Sequence, residues 1–197
     1  MERPESERFA SGVSRPMAFF KGFLRRPRDV GSVVPSSPYL SRRIADAVRG
    51  AHVVAELGPG TGPITHALLG VLPAQARLLA IELDPDFAAL LEAERDRRLV
   101  VHRGNASELA QALTRHGMQH ADAVVSGIPF STMGEAAGRR VLQQVWDVLR
   151  PGGTFVAYQF RGEVARLALD IMGRPRMALE LRNVPPIRIY SWRKPGA

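Results

Sequence analysis

The chain has 197 residues, 45% hydrophobic and 23% charged, which suits one globular domain with a sizeable core, or one domain with appendages. It has no cysteine, so disulfides and thiolate metal sites are excluded. Its net charge of +8 predicts attraction to polyanions, whether nucleic acid or an anionic membrane. No apolar run is long enough to span a bilayer, no signal-peptide core opens the chain, and no internal repeat is present.

Residues from about Glu5 to Leu24 read as helix, because Phe9, Val13, Met17, Phe20 and Leu24 return at three- or four-residue steps. Phe19 and Phe23 widen the stripe, Pro16 interrupts it, and Lys21, Arg25, Arg26 and Arg28 follow it. Two readings stay open: a helix lying in a membrane interface with its cations at lipid phosphates, or a helix packed on the domain's own core. The Gly-, Pro- and Ser-containing segment from Arg28 to Ser37 is a loop whose small hydroxyl residues, Ser32 among them, could cap a ligand cleft. A helix then starts at Ser37 or Pro38 and runs to about Arg49.

From Val53 onward, strands alternate with helices. Strands are expected at 53–57, 77–82, 99–101, 121–126 and 153–160, and helices at 61–71, 86–95, 107–115 and 135–149. The last helix ends on Pro151-Gly152-Gly153. Alternation of this kind predicts a doubly wound parallel sheet. The tail reads as two strands, 177–183 and 186–193, broken at Pro185-Pro186.

The chemistry concentrates at Val53-Val54-Ala55-Glu56-Leu57-Gly58-Pro59-Gly60-Thr61-Gly62. A buried strand delivers an acid and then three glycines on alternate positions, which let the backbone approach a ligand closely ahead of a helix N-terminus. The dinucleotide fingerprint is G-x-G-x-x-G, and this spacing departs from it. The next strand ends in Ile81-Glu82-Leu83-Asp84-Pro85.

That pattern resembles the class I methyltransferases that use S-adenosylmethionine. The resemblance implies a Rossmann-like α/β sheet, mostly parallel with a C-terminal antiparallel strand. It places Glu56 near the methionine amino group, Gly58, Gly60 and Gly62 against methionine and ribose, and Glu82 on the ribose hydroxyls, since a carboxylate accepts two bonds from a cis-diol. Asn105, in Gly104-Asn105-Ala106, stands where relatives carry an aspartate that binds the adenine amino group, and its amide oxygen would take that role. Leu83 and Ala106 would flank the adenine ring.

The acceptor motif is Ser126-Gly127-Ile128-Pro129-Phe130. Relatives that methylate nucleobase amines have Asn-Pro-Pro-Tyr or a variant there. On this reading Ser126 replaces the amide, carbonyls of Gly127 or Ile128 orient the amine, and Phe130 keeps the aromatic position. Tyr39, Tyr158 and Tyr190 are candidates for a polar or cation–π wall around a methylated nitrogen.

With Phe20-Lys21-Gly22-Phe23-Leu24, Gly31 to Ser37, Val145 to Gly153 and Arg182-Asn183-Val184-Pro185-Pro186, the chain resembles the bacterial phospholipid N-methyltransferases, which convert phosphatidylethanolamine to phosphatidylcholine. The resemblance implies a membrane-docking segment over residues 1–30 carrying Phe19, and a catalytic domain over 31–197. It implies partners in an anionic membrane surface and phosphatidylethanolamine-type lipids, and a place on the inner face of the cell membrane. Lys21, Arg28 and Arg188 are the candidates for the lipid phosphate. The chemistry requires no metal, and His52, His66 and His102 are expected at the surface. The rival expectation is a ribosomal RNA adenine-N6 methyltransferase.

Overall fold

The computed structural model describes residues 36–196, so the expected N-terminal helix, the 1–30 segment and the candidates Phe19, Lys21, Arg28 and Ser32 lie outside the described residues. The described chain opens with helix α1 (Pro38–Ala47), whose N-cap Ser37 accepts a hydrogen bond from Leu40 N–H through its hydroxyl. There follow β1 (Val53–Leu57), α2 (Pro63–Val71), β2 (Arg77–Glu82), α3 (Pro85–Glu92), β3 (Leu99–Arg103), α4 (Leu109–Arg115), β4 (Ala121–Ser126), α5 (Glu135–Val148), β5 (Leu149–Gln159), α6 (Glu163–Met172), β6 (Arg176–Glu180) and β7 (Ile187–Arg193).

The seven strands form one sheet in the order β3-β2-β1-β4-β5-β7-β6. The strands from β3 to β5 pair in parallel, whereas β7 runs antiparallel to both β5 and β6. The strand order reverses beside β1, so the ends of β1 and β4 border the crevice where open α/β sheets bind ligands.

Runs such as Val53-Val54-Ala55 and Ala123-Val124-Val125 are apolar on both faces because helices cover both. One face carries α1 and α2, packed through Leu40, Ile44, Ile64 and Leu68 onto Val54, Val125 and Val156. The other carries α4, α5 and α6, packed through Leu113, Val141, Val145 and Leu167 onto Leu57, Val124 and Phe155. Each such side chain contributes roughly 1.5–3 kcal/mol on burial.

Helix α6 was not expected. Its signal was present: Val164, Leu167, Ala168 and Ile171 repeat at helical spacing between Gly162 and Gly173. The strand expected from residue 153 begins instead at Leu149, where a register shift against β4 lies between Ala121 and Ala123 and draws the Pro-Gly-Gly segment into the ladder.

Candidate active site

Strand β1 ends by carrying Glu56 into the interior with no exposed surface. One carboxylate oxygen, Oε2, accepts a hydrogen bond from Thr65 Oγ1 of α2 at 2.7 Å; the other, Oε1, has no partner among the described residues. Burial pushes this carboxyl up to about 8, opposed by the Thr65 hydroxyl and reinforced by the negative charge of Glu82. A buried carboxylate with one unmatched oxygen is a site for a cation that donates hydrogen bonds.

The chain leaves β1 through Gly58, at φ +70°, where a Cβ would stand 2.7 Å from Ile128 Cγ2; only glycine fits there. Gly60 follows with open space above its Cα, and its N–H donates to Glu82 Oε2 at 2.9 Å. Gly62 is the N-cap of α2 and has no side chain to cap that turn's N–H groups, an arrangement that suits a ligand at the helix N-terminus.

Glu82 closes β2. Its Oε1 accepts from Asp84 N–H at 2.9 Å, and burial raises its carboxyl while the N–H groups of Asp84, Gly60 and Leu83 oppose the rise. These bonds fix the carboxylate, and further lone pairs remain for two hydroxyls. Leu83 and Ala106 are both half-buried beyond the ends of neighbouring strands, in positions to flank a flat ring.

Asn105 corrects the sequence expectation. Its Oδ1 already accepts from Ser107 N–H and Ser107 Oγ, each at 2.9 Å, so the oxygen assigned to the adenine amino group is committed to its own turn. His102 is a second correction, because it is buried at the end of β3 against Glu108 and the edge of His116 rather than exposed. His52 and His66 are exposed as expected.

The acceptor side lies beyond β4. Ser126 is wholly enclosed, and its Oγ has no hydrogen-bond partner among the described residues. Gly127 N–H continues the ladder to Leu57 O at 3.0 Å. A Cβ on Gly127 would collide with the Tyr158 hydroxyl and stand 3.2 Å from Gly58 O. A four-residue motif ending on the aromatic counts back from Phe130 to Gly127, so Gly127, not Ser126, holds the amide position. The Tyr158 hydroxyl fills the space a side chain there would need.

Phe130 is fully buried in the core with Val141, Val145 and Leu167, and Gly138 gives its ring room. The expected stacking platform is thus a core ring, packed there because α5 and α6 close over it. Ile128 seals against Gly58, and its carbonyl accepts from Gln159 Nε2 at 2.6 Å. Gln159 Oε1 accepts from Phe130 N–H at 3.4 Å. One buried amide therefore pins both ends of the turn, a role the sequence reading missed; its only signal was a polar residue inside the apolar run of β5. The Gly127 carbonyl accepts no hydrogen bond among the described residues.

Tyr158 is half-buried on the α1–α2 face, with the Ser36 side chain near its hydroxyl. Burial and the carboxyls of Glu56 and Glu82 raise its hydroxyl far above the usual phenol range, so it stays protonated. Tyr190 sits on the opposite sheet face, in register with Ala157 and inside the core beside Trp192, so it does not join Tyr158 in one wall. Tyr39 is exposed under Arg182, whose guanidinium carbon lies 4.2 Å from the ring centroid. Arg188 is exposed on β7 and donates to the Phe160 carbonyl.

The sheet order, the acid-then-glycine loop and the acid ending β2 define an S-adenosylmethionine-dependent class I methyltransferase site, and the unmatched oxygen of Glu56 fits the cofactor's cationic amine. Residues 54–153 match the family described as methyltransferase domain, and the chain belongs to that family. An ornithine lipid N-methyltransferase from Singulisphaera acidiphila is 34% identical over 89% of this chain and 94% of its own length. A ribosomal RNA small subunit methyltransferase A from Syntrophotalea carbinolica is 48% identical, but over 28% of this chain and 20% of its own. Among solved structures, 1,6-didemethyltoxoflavin-N1-methyltransferase from Burkholderia thailandensis, with S-adenosylhomocysteine bound, shares the fold with a TM-score of 0.67 at 19% identity, covering 94% of this chain and 93% of that one. No helix among the described residues is long and apolar enough to cross a membrane.

Proposed function

We propose that this chain methylates the aliphatic amine of a membrane lipid, with phosphatidylethanolamine as the headgroup expected from sequence and an ornithine lipid as the headgroup its relative acts on. The observation that carries the reading is the pair Gly127 and Tyr158. Where a nucleobase enzyme needs a planar amide, this chain has no side chain, and a neutral hydroxyl occupies the space. That arrangement supports a compact, tetrahedral nitrogen rather than a flat ring edge.

S-adenosylmethionine supplies an already activated methyl group. The chain's own task is to bind, align and exclude water. Glu56 and Glu82 would hold the cofactor's amine and ribose. The Gly127 carbonyl would accept a hydrogen bond from the acceptor amine, the Tyr158 hydroxyl would bound its other side, and Gln159 would keep the turn in register. The amine loses its proton before attack.

The test is transfer of labelled methyl from S-adenosylmethionine to vesicles containing either phosphatidylethanolamine or ornithine lipid, with unmodified ribosomal RNA in parallel. Label in one lipid identifies the headgroup. Label only in RNA sinks the proposal and favours the adenine reading, to which the partial ribosomal RNA enzyme matches point.

A further inference from the structure

Among the described residues, seven large hydrophobic side chains are exposed: Tyr39, Leu90, Leu169, Met177, Leu179, Leu181 and Val184. Five of them gather on β6, the β6–β7 turn and the first turn of α1, instead of scattering singly as exposed apolar residues usually do. At the tip, Leu181 and Val184 are 66% and 76% exposed.

The turn is held in shape. Glu180, buried at its base, accepts from Arg182 N–H and Arg182 Nε at 3.1 and 3.2 Å and pairs with Arg43 at 3.3 Å. The Arg182 backbone and side chain, with Arg43, hold that carboxyl below the usual range. Asn183, also buried, accepts from Ser37 N–H at 3.0 Å and donates to Pro185 O at 3.0 Å. A preformed apolar tip loses little conformational freedom when it inserts into a partner.

The charge around the tip has one sign. Arg182 follows Leu181 in the turn, Arg188 stands at the first rungs of β7, and Arg43 reaches the base of the turn from α1, while the one acid between Gly173 and Ala197 is the buried, paired Glu180. Because β7 is antiparallel, the β6–β7 turn stands at the same end of the sheet as the carboxyl ends of β1, β4 and β5. Asn183 ties it to Ser37, whose neighbour Ser36 lies near the Tyr158 hydroxyl.

We infer that the β6–β7 turn, with Tyr39, is a docking surface for an anionic lipid bilayer. Leu181 and Val184 enter below the headgroups, while Arg43, Arg182 and Arg188 meet the phosphates. The inference deepens the lipid reading and rests on it. RNA fits less well, because the tip offers aliphatic side chains and the patch holds one ring, Tyr39, whereas single-stranded nucleic acid is bound by stacking aromatics.

The experiment measures flotation of the full chain with vesicles of phosphatidylethanolamine and phosphatidylglycerol. It compares wild type, L181S/V184S, V184S alone and L90S, the last a similar change on α3 at the other side of the sheet. Thermal stability and S-adenosylmethionine affinity are read on each variant, and methyl transfer is read on vesicles and on a short-chain acceptor dispersed as monomers. The double variant should lose about 10-fold or more of vesicle partitioning, V184S part of that, and L90S none. Transfer to vesicles should fall in step, with folding, cofactor affinity and transfer to the dispersed acceptor unchanged. No vesicle binding by wild type, unchanged binding by the double variant, or an equal loss in L90S overturns the inference. So does loss of RNA binding with vesicle binding intact. A chain that binds vesicles through Leu181 and Val184 yet labels no lipid keeps the docking surface and loses the acceptor assignment, so the two failures are distinguishable.

Discussion

The cofactor cradle and the acceptor mouth stand at the same end of the same sheet but are built from different materials. On the cofactor side, side chains close over partners nearby in sequence: Thr65 reaches Glu56 across 9 residues and Gly60 reaches Glu82 across 22. On the acceptor side the decisive contacts are distant. Gln159 reaches Ile128 across 31 residues, Tyr158 stands over Gly127, and Asn183 reaches Ser37 across 146. A cradle of local contacts serves any methyltransferase, whereas a mouth of distant ones can be reshaped for each acceptor without touching the cradle. Substitutions should therefore separate into two groups, one losing cofactor and the other losing turnover with cofactor binding intact.

The largest effect belongs to Glu56. Glu56→Ala should weaken S-adenosylmethionine binding on the order of 100-fold by calorimetry, the usual result of removing one partner of a buried charge pair. In the cofactor-free fold the carboxyl lies near 8, against 4.5 for an ordinary glutamate. The folded state then holds more protons than the unfolded one between those values, so stability falls as pH rises from 4.5 to about 8 and levels above it. The raised carboxyl of Glu82 acts in the same direction. Melting temperature against pH should show this decline in wild type and a shallower one in Glu56→Gln. Near pH 7, binding of the cationic cofactor should release protons, which calorimetry in buffers of different ionisation enthalpy will detect.

Gly127 tests the acceptor side. Gly127→Asn drives a side chain into the Tyr158 hydroxyl and should cut turnover about 100-fold through misplacement of the acceptor, with S-adenosylmethionine affinity nearly unchanged. Adding Tyr158→Ala should restore part of the loss, because the two positions share one volume. A loss of cofactor affinity equal to the loss of turnover would merge the two regions and end the distinction. Gln159→Leu is milder. It leaves the Ile128 carbonyl and the Phe130 N–H unpaired in the interior, at about 1–3 kcal/mol, and should lower kcat more than it changes cofactor affinity.

The same contrast explains what the sequence made legible. The sheet, its order of elements, Glu56, Glu82 and the glycine loop announce themselves because periodicity and short motifs are local properties. Asn105 was misread because its oxygen turns back on Ser107, two residues ahead, a choice of local bonding that residue type alone leaves open. Phe130 was misread because an aromatic residue after a strand serves equally as platform or core, and only the closure of α5 and α6 over it decides. Gln159 and the Gly127–Tyr158 contact depend on the pairing of β4 with β5, which no window of sequence contains.

The smallest effect should come from Asn183, and it bears on whether the acceptor mouth and the C-terminal turn act as one unit. Its side chain joins Ser37 N–H at the start of α1 to the Pro185 carbonyl, so Asn183→Ala removes two hydrogen bonds from a buried position. The fold should lose about 1–2 kcal/mol, a fall of roughly 2–8 °C in melting temperature for a domain of this size. Glu180 still braces the base of the turn through Arg43 and Arg182, so Leu181 and Val184 stay presented and vesicle binding should fall less than it does in L181S/V184S. The acceptor KM should rise severalfold as Ser36 loses its fixed place beside Tyr158, while S-adenosylmethionine affinity holds. An unchanged KM with the same drop in melting temperature would make Asn183 a fastener of the fold alone and leave the turn's link to the acceptor resting on position within the sheet.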